Sequence, residues 1–289
     1  MTSPSPQRIA MFRVIWRTVN ILLIASLLFL GYSVAWEYSA RRYLKGFSDA
    51  IVPSGATAEE KIDAILTWMR SGPPRAVAAN PNNLAVRDPE VTLNYRQLLG
   101  VCGTATNAFL NLSRSAGLQA RRLLLLSPQH FANHVVAEVL VDGRWIIVDP
   151  TFRLILRDAQ GHTLTRQQLR DPDVFNQVTG RIPNYPSFYN YLLIGHVRIA
   201  RLPIVGFGLR SALQRIYPAW DESLDWTLLL ERESFFFLFV STFFFGFFFI
   251  LRLLLAWYTD HRLRVPRFHL RHHIARAGAT FFSAPEIEE

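Results

Sequence analysis

The sequence predicts an α+β fold, a helix packed on a mostly antiparallel sheet, flanked by two transmembrane helices. Three observations carry this expectation. Uncharged runs at 18–36 and 234–251 have the length needed to cross a bilayer as helices. Between them, apolar residues recur at helical spacing in 57–72 and again after Cys102. Further on, two apolar runs flank Asp142-Gly143, the signal of a tight hairpin. Helix, strand and hairpin in that order suit an α+β core.

The 289 residues allow one large domain or two small ones, and half of them are hydrophobic. The mean hydropathy of +0.15 is high because the two long apolar runs carry the excess. The first, "TVNILLIASLLFLGYSVAW", follows Arg8, Arg13 and Arg17. It reads as an uncleaved anchor; the alternative is a signal peptide, for which "GYSVAWEYSARR" offers only a poor cleavage site. The second, "SFFFLFVSTFFFGFFFIL", continues past Arg252 with "LLLAWY", and Arg252 lies near enough to the end to snorkel toward headgroups.

Charge at the flanks sets the orientation. Glu231, Arg232 and Glu233 precede the second span, whereas Arg262, Arg264, Arg267, Arg271 and Arg276 follow it. The positive-inside rule then places the tail in the cytoplasm, and two spans return the N-terminus there too. The expected organisation is a cytoplasmic 1–17, a span at 18–36, a linker at 37–56 and a folded domain at 57–160. An extension at 161–233, a span at 234–258 and a basic cytoplasmic tail at 259–289 follow. The domain between the spans faces outward, into the periplasm or exterior of a bacterial cell, anchored in the cytoplasmic membrane.

The net charge of +9 is no argument for nucleic acid, because anionic lipid headgroups account for arginine at membrane flanks. The expected contacts are lipid and a membrane-protein partner for the phenylalanine-rich helix. His269, His272 and His273 lack thiol or acidic companions, so neither metal nor cofactor is expected.

Within the domain, Thr57 followed by Glu60 has capping-box spacing and opens a helix that Gly72, Pro73 and Pro74 end. The stretch "PPRAVAANPNNLAVRDPE" reads as loop. After Cys102, Ala105, Phe109, Leu112 and Ala116 mark a helix with Gly117 as its cap, and "QARRLLLL" follows as a strand. Beyond residue 153 the pattern weakens. The aromatic stretch "RIPNYPSFYNYLL" has no periodicity, and 198–217 reads either as an interfacial amphipathic segment or as one packed on the domain.

Three residues carry the chemistry. Cys102, the only cysteine, opens a helix, where the dipole and free N–H groups favour a thiolate. His134 leads one strand of the hairpin and Asp149 ends the other, so the turn brings them side by side across the ladder. That order suits a Cys-His-Asp triad of nucleophile, acid/base and orienting carboxylate. Taken singly, each residue also has a bland reading as core filler, satisfied histidine or turn.

The stretches "GVCGTATNAFLNLSRSAGLQARRL" and "NHVVAEVLVDGRWIIVDPTF" resemble the transglutaminase-like superfamily, whose fold is shared with papain-like cysteine hydrolases. The resemblance spans about 57–152 and lies in three blocks: a G-x-C opening a helix, a histidine leading a strand, and W-x-x-x-DP, filled here by Trp145 and Asp149-Pro150. It implies a transglutaminase-like domain with Cys102 as nucleophile, His134 as acid/base and Asp149 as orienting residue. It further implies a thioacyl enzyme acting on an amide or ester, a cysteine protease or amidase or an acyltransferase with a protein or peptide substrate in the cell envelope. One departure is that Val135 and Val136 stand where the family often has an aromatic residue, which bears on the acyl pocket rather than on the triad. The Cys102 backbone N–H is the expected oxyanion donor, with Gln97 or Tyr95 as side-chain candidates. The alternative is a non-catalytic binding module or an accessory protein of polymer assembly on the same fold.

Overall fold

The structure is a computed structural model that describes residues 6–80, 82, 84–129, 131–197, 212, 215–217, 220 and 226–263. The chain divides into two compact units, Met1–Leu30 with Ser241–Glu289, and Gly31–Val240. The expected basic tail from 264 onward and most of the segment 198–217 lie outside the described residues.

Among the described residues two helices are long and apolar enough to cross a membrane, over Gln7–Ile51 and Glu233–Arg262. The first, α1 (Pro6–Ile51), does not stop where the apolar run ends. The stretch expected as a linker at 37–56 is instead helical to Ile51. No proline interrupts it before Pro53, and Leu44 is fully buried against the core with Tyr43 and Phe47 beside it. Within the first unit Arg252 has protein partners. Its Nε donates to Asn20 Oδ1 at 2.9 Å and its guanidinium lies 5.5 Å from the Trp16 ring centre.

In the second unit, α2 (Ala58–Ser71) starts with the full capping box, Thr57 and Glu60 satisfying each other's backbone N–H groups. A short helix α3 (Pro89–Asn94) and a 3-10 helix (Arg96–Gly100) then lead into α4 (Cys102–Ser115). Both lie where the sequence reads as loop or carries no periodic signal, because helices of five or six residues are too short to show one. Gly117, at φ +84°, takes the left-handed conformation that turns the chain out of α4 into the sheet.

The sheet is antiparallel throughout, with strand order β4-β3-β2-β1-β5. Its members are β1 (Ala120–Leu126), β2 (Ala132–Val141), β3 (Arg144–Asp149), β4 (Leu154–Ile155) and β5 (Ile194–Gly195). Asp142 at φ 47° and Gly143 at φ 77° give the β2–β3 turn the two positive φ angles of a type I′ hairpin. The two edge strands come from the chain beyond residue 153. Strands of two residues leave no periodicity to read.

Side chains alternate between two cores. Ala137, Val139 and Val141 of β2 join α2 and α4 on one face, with Phe109, Leu110 and Leu112. Val136 faces the other way, with Leu123, Leu125 and Ile147, under Phe175 of α5 (Pro172–Thr179) and Tyr191. The helix that starts at Cys102 therefore covers one face and the extension covers the other.

The far side of α4 is held by a buried polar network. Asn107 donates to both the carbonyl and the carboxylate of Glu231 in α6 (Thr227–Glu231), and Arg122 of β1 pairs with the same carboxylate. Arg232 reaches Asn111 Oδ1 at 3.1 Å and Glu37 Oε1 at 2.8 Å. Ser234, at the start of α7 (Glu233–Tyr258), donates to Glu37 Oε2 at 2.7 Å. With side chains only 4–5% exposed, Glu37 and Arg232 need each other, since an unpaired buried charge costs several kcal/mol.

Candidate active site

The site sits where the N-terminus of α4 meets the start of β2. Cys102 is the first residue of α4, with Val101 as its N-cap, and is partly buried. The helix is fixed to the strand one turn later, where the buried Thr106 hydroxyl donates to the Val135 carbonyl at 2.9 Å. Thr104 ties the same turn back to the 3-10 helix through the carbonyls of Leu98 and Val101. These threonine bonds set the thiol beside His134, the residue before Val135 on β2.

His134 and Asp149 are almost completely buried, and Nε2 of the ring lies 2.8 Å from Oδ2 of the carboxylate. Their placement differs in register from the side-by-side expectation. The ladder runs from Val141↔Arg144 to Ala137↔Val148, so Asp149 stands across from Val136 and His134 is two residues further along β2. A two-residue offset keeps both side chains on one face, and they meet on the diagonal.

Asp149 is held at both oxygens. The N–H groups of Thr151 and Phe152 donate to Oδ1 at 3.0 and 3.3 Å, from the turn that Pro150 starts. The Tyr185 hydroxyl donates to Oδ2 at 3.1 Å. Arg153, at φ 58°, closes that turn by reaching the carbonyls of Met69, Leu99 and Thr151.

With Nε2 engaged by Asp149, Nδ1 is the nitrogen left for the thiol. It is buried and has no partner of good hydrogen-bond geometry among the described residues. The contact with Cys102 is therefore looser than an ideal hydrogen bond. It is close enough for the imidazole to be the largest influence on the thiol and to lower its pKa. Burial opposes that shift, and the N–H groups of Val135 and Gly103 reinforce it. For His134, burial alone would disfavour the charged ring, but the hydrogen bonds to Asp149 and Cys102 and their charges carry its pKa up to about 9. Such a ring can accept the thiol proton and hold it beside the sulfur.

The two side-chain oxyanion candidates occupy different settings. Gln97 is half-buried in the 3-10 helix that delivers Cys102, with an Oε1 that finds no hydrogen-bond partner among the described residues. Tyr95 caps that helix and its backbone forms a bridge with Ala76. The first N–H groups of α4, that of Cys102 among them, have no intrahelical acceptor.

Sequence reasoning missed the aromatic wall. The Tyr189 ring is stacked on the His134 imidazole, centroids 4.1 Å apart and planes within 3°. Phe152 and Tyr185 meet the imidazole edge-on at 6.2 and 6.5 Å. Both tyrosines belong to the non-periodic stretch "NYPSFYNYLL", whose density of rings was the one available signal. Outside the wall, Val101, Phe131 and Phe188 are 57%, 70% and 61% exposed, close in sequence to Cys102, His134 and Tyr189 respectively. Among the described residues no group of three or more His, Cys, Asp or Glu is arranged to hold a metal.

Residues 45–150 match the family model of the transglutaminase-like superfamily core. The match ends one residue past Asp149, so it contains Cys102, His134 and Asp149 but neither Tyr185 nor Tyr189. No curated protein and no solved structure matches the chain.

Proposed function

We propose that this transglutaminase-like domain is a membrane-anchored thiol enzyme in which Cys102 is the nucleophile, His134 the acid/base and Asp149 the orienting carboxylate. The observation that carries the reading is the buried His134–Asp149 hydrogen bond, which leaves Nδ1 to a thiol at a helix N-terminus. A binding module has no use for a fully coordinated carboxylate behind a buried imidazole.

In the reaction, Nδ1 holds the proton of Cys102, and the thiolate attacks the carbonyl carbon of an amide or ester. The C=O π pair moves onto oxygen, and the resulting oxyanion takes the N–H of Cys102 and a donor from Gln97 or Tyr95. Collapse expels the amine or alcohol, which leaves with the proton from His134, and a thioester remains on Cys102. Water then gives hydrolysis, and an amine gives acyl transfer. The site is equipped for either, as a cysteine protease or amidase or as an acyltransferase.

The flank charges support an extracytoplasmic domain with both termini in the cytoplasm, so the substrate is a protein or peptide of the cell envelope. The exposed apolar residues next to the nucleophile and its histidine suit an acyl group with a bulky apolar side chain. The test is to incubate the full-length protein in detergent with envelope peptides, quench in acid and examine Cys102 by mass spectrometry. A hydroxylamine-labile acyl adduct on Cys102 is expected. Turnover that survives Cys102→Ala would overturn the reading.

A further inference from the structure

The segment 182–193 lies beyond the matched core, yet it supplies two of the groups that touch the His134–Asp149 pair. Its backbone is built to do so. Asn184, at φ 59°, precedes Tyr185, whose N–H bonds the Ile182 carbonyl at 3.2 Å. The next turn closes from the Tyr189 N–H to the Pro186 carbonyl at 3.1 Å, which sets the two rings one turn apart. They meet edge to face at 5.8 Å.

We infer that Tyr185 is a positioning residue for the His134–Asp149 pair, its hydroxyl fixing the carboxylate oxygen that orients the imidazole toward Cys102. The inference rests on the reading of Cys102 as a nucleophile served by that pair. The geometry for it is complete. A carboxylate accepts about four hydrogen bonds. Asp149 has four donors or partners: the Thr151 and Phe152 N–H groups on Oδ1, and His134 and Tyr185 on Oδ2. Without the phenol, Oδ2 keeps only its bond to the imidazole, and the two N–H bonds on Oδ1 are left to hold the carboxylate. Burial, then the neighbouring Tyr191 and Asp149, hold the Tyr185 phenol protonated well above the usual range, so it stays a donor.

The sign of its effect follows from what it shares. A donor on Oδ2 spreads the carboxylate charge and weakens its pull on the imidazolium. Removing the hydroxyl leaves His134 as the one partner on Oδ2, so the ring holds its proton to higher pH. The titratable groups facing the imidazole are Cys102 from α4, Asp149 from β3, and Tyr185 and Tyr189 from the extension, with Tyr191 behind Asp149.

The test is Tyr185→Phe in the full chain in detergent, which keeps the ring and its packing. His134 is followed by NMR of histidine-labelled protein across pH, and Cys102 by its iodoacetamide rate at pH 7. The titration of His134 should move upward by roughly half a unit to one unit, and the alkylation rate should fall about tenfold. A changed thermal midpoint with His134 titrating as in the wild type would make Tyr185 a packing residue and overturn the inference. The two readings fail separately. If Tyr185→Phe shifts His134 while no acyl group ever forms on Cys102, positioning stands and the enzyme reading falls. If Cys102 acylates and Tyr185→Phe changes neither readout, only positioning falls.

Discussion

Tyr189 lies flat on the His134 imidazole, 4.1 Å between ring centres and 3° from parallel, so one face of the ring is closed by a residue from outside the matched core. The stack limits rotation of a ring whose Nδ1 has to stay on the thiol. Aromatic contacts of this kind are worth about 0.5–1.5 kcal/mol. Tyr189→Ala should therefore slow alkylation of Cys102 by roughly 2- to 12-fold, while Tyr189→Phe, which keeps the stack, should stay within about twofold. Second-order rate constants with iodoacetamide at pH 7 check both.

A second prediction concerns pH. The thiolate–imidazolium pair exists between the lowered pKa of Cys102 and the raised pKa of His134, about 9. Below that window the thiol is protonated; above it the imidazolium loses its proton and only the bare thiolate remains. Iodoacetate, an anion, is drawn by the imidazolium, whereas neutral iodoacetamide is not. The ratio of the two rates should be high inside the window and fall as pH rises through about 9. In His134→Ala the ratio should be flat.

The buried Glu37–Arg232 pair supports α4 from the side away from the thiol. Glu37→Leu leaves Arg232 buried without its anion and should cost about 3–5 kcal/mol. Combining it with Arg232→Met removes both charges and should recover much of that loss, because an apolar pair of similar size avoids the desolvation cost. Chemical denaturation in detergent gives all three free energies.

Under the proposed function, a substrate preference is expected from the exposed Phe188, which meets Tyr189 edge-on at 4.8 Å, and from the exposed Val101 next to Cys102. Fluorogenic acyl-amides with a leucyl or phenylalanyl side chain should turn over faster than aspartyl ones, and Phe188→Asp should reduce that preference about tenfold. Equal kcat/KM across the series in both proteins would remove the apolar reading.

Much of the site was legible because its parts are local or linked by one short turn. Cys102 announces a helix start, Asp142-Gly143 fixes the hairpin, and the hairpin commits His134 and Asp149 to the same face. The two-residue offset between them follows from the same turn: Val141 faces Arg144, His134 lies seven residues before that pair and Asp149 five after it, so side-by-side placement was a miscount of the ladder. Tyr185 and Tyr189 were hidden. They reach the site through irregular turns and from the far side of the sheet, and neither periodicity nor the three sequence blocks reports a contact of that kind. The continuation of α1 to Ile51 was hidden as well, because Leu44, Tyr43 and Phe47 only make sense once the core they cover is known.

The central claim is that His134 holds Cys102 as a thiolate, and the pH dependence of iodoacetamide alkylation of the full-length protein tests it most directly. The account predicts a midpoint clearly below the value of about 8.5 for an ordinary thiol, returning to that value in His134→Ala. A midpoint at or above 8.5 that His134→Ala leaves in place would contradict it.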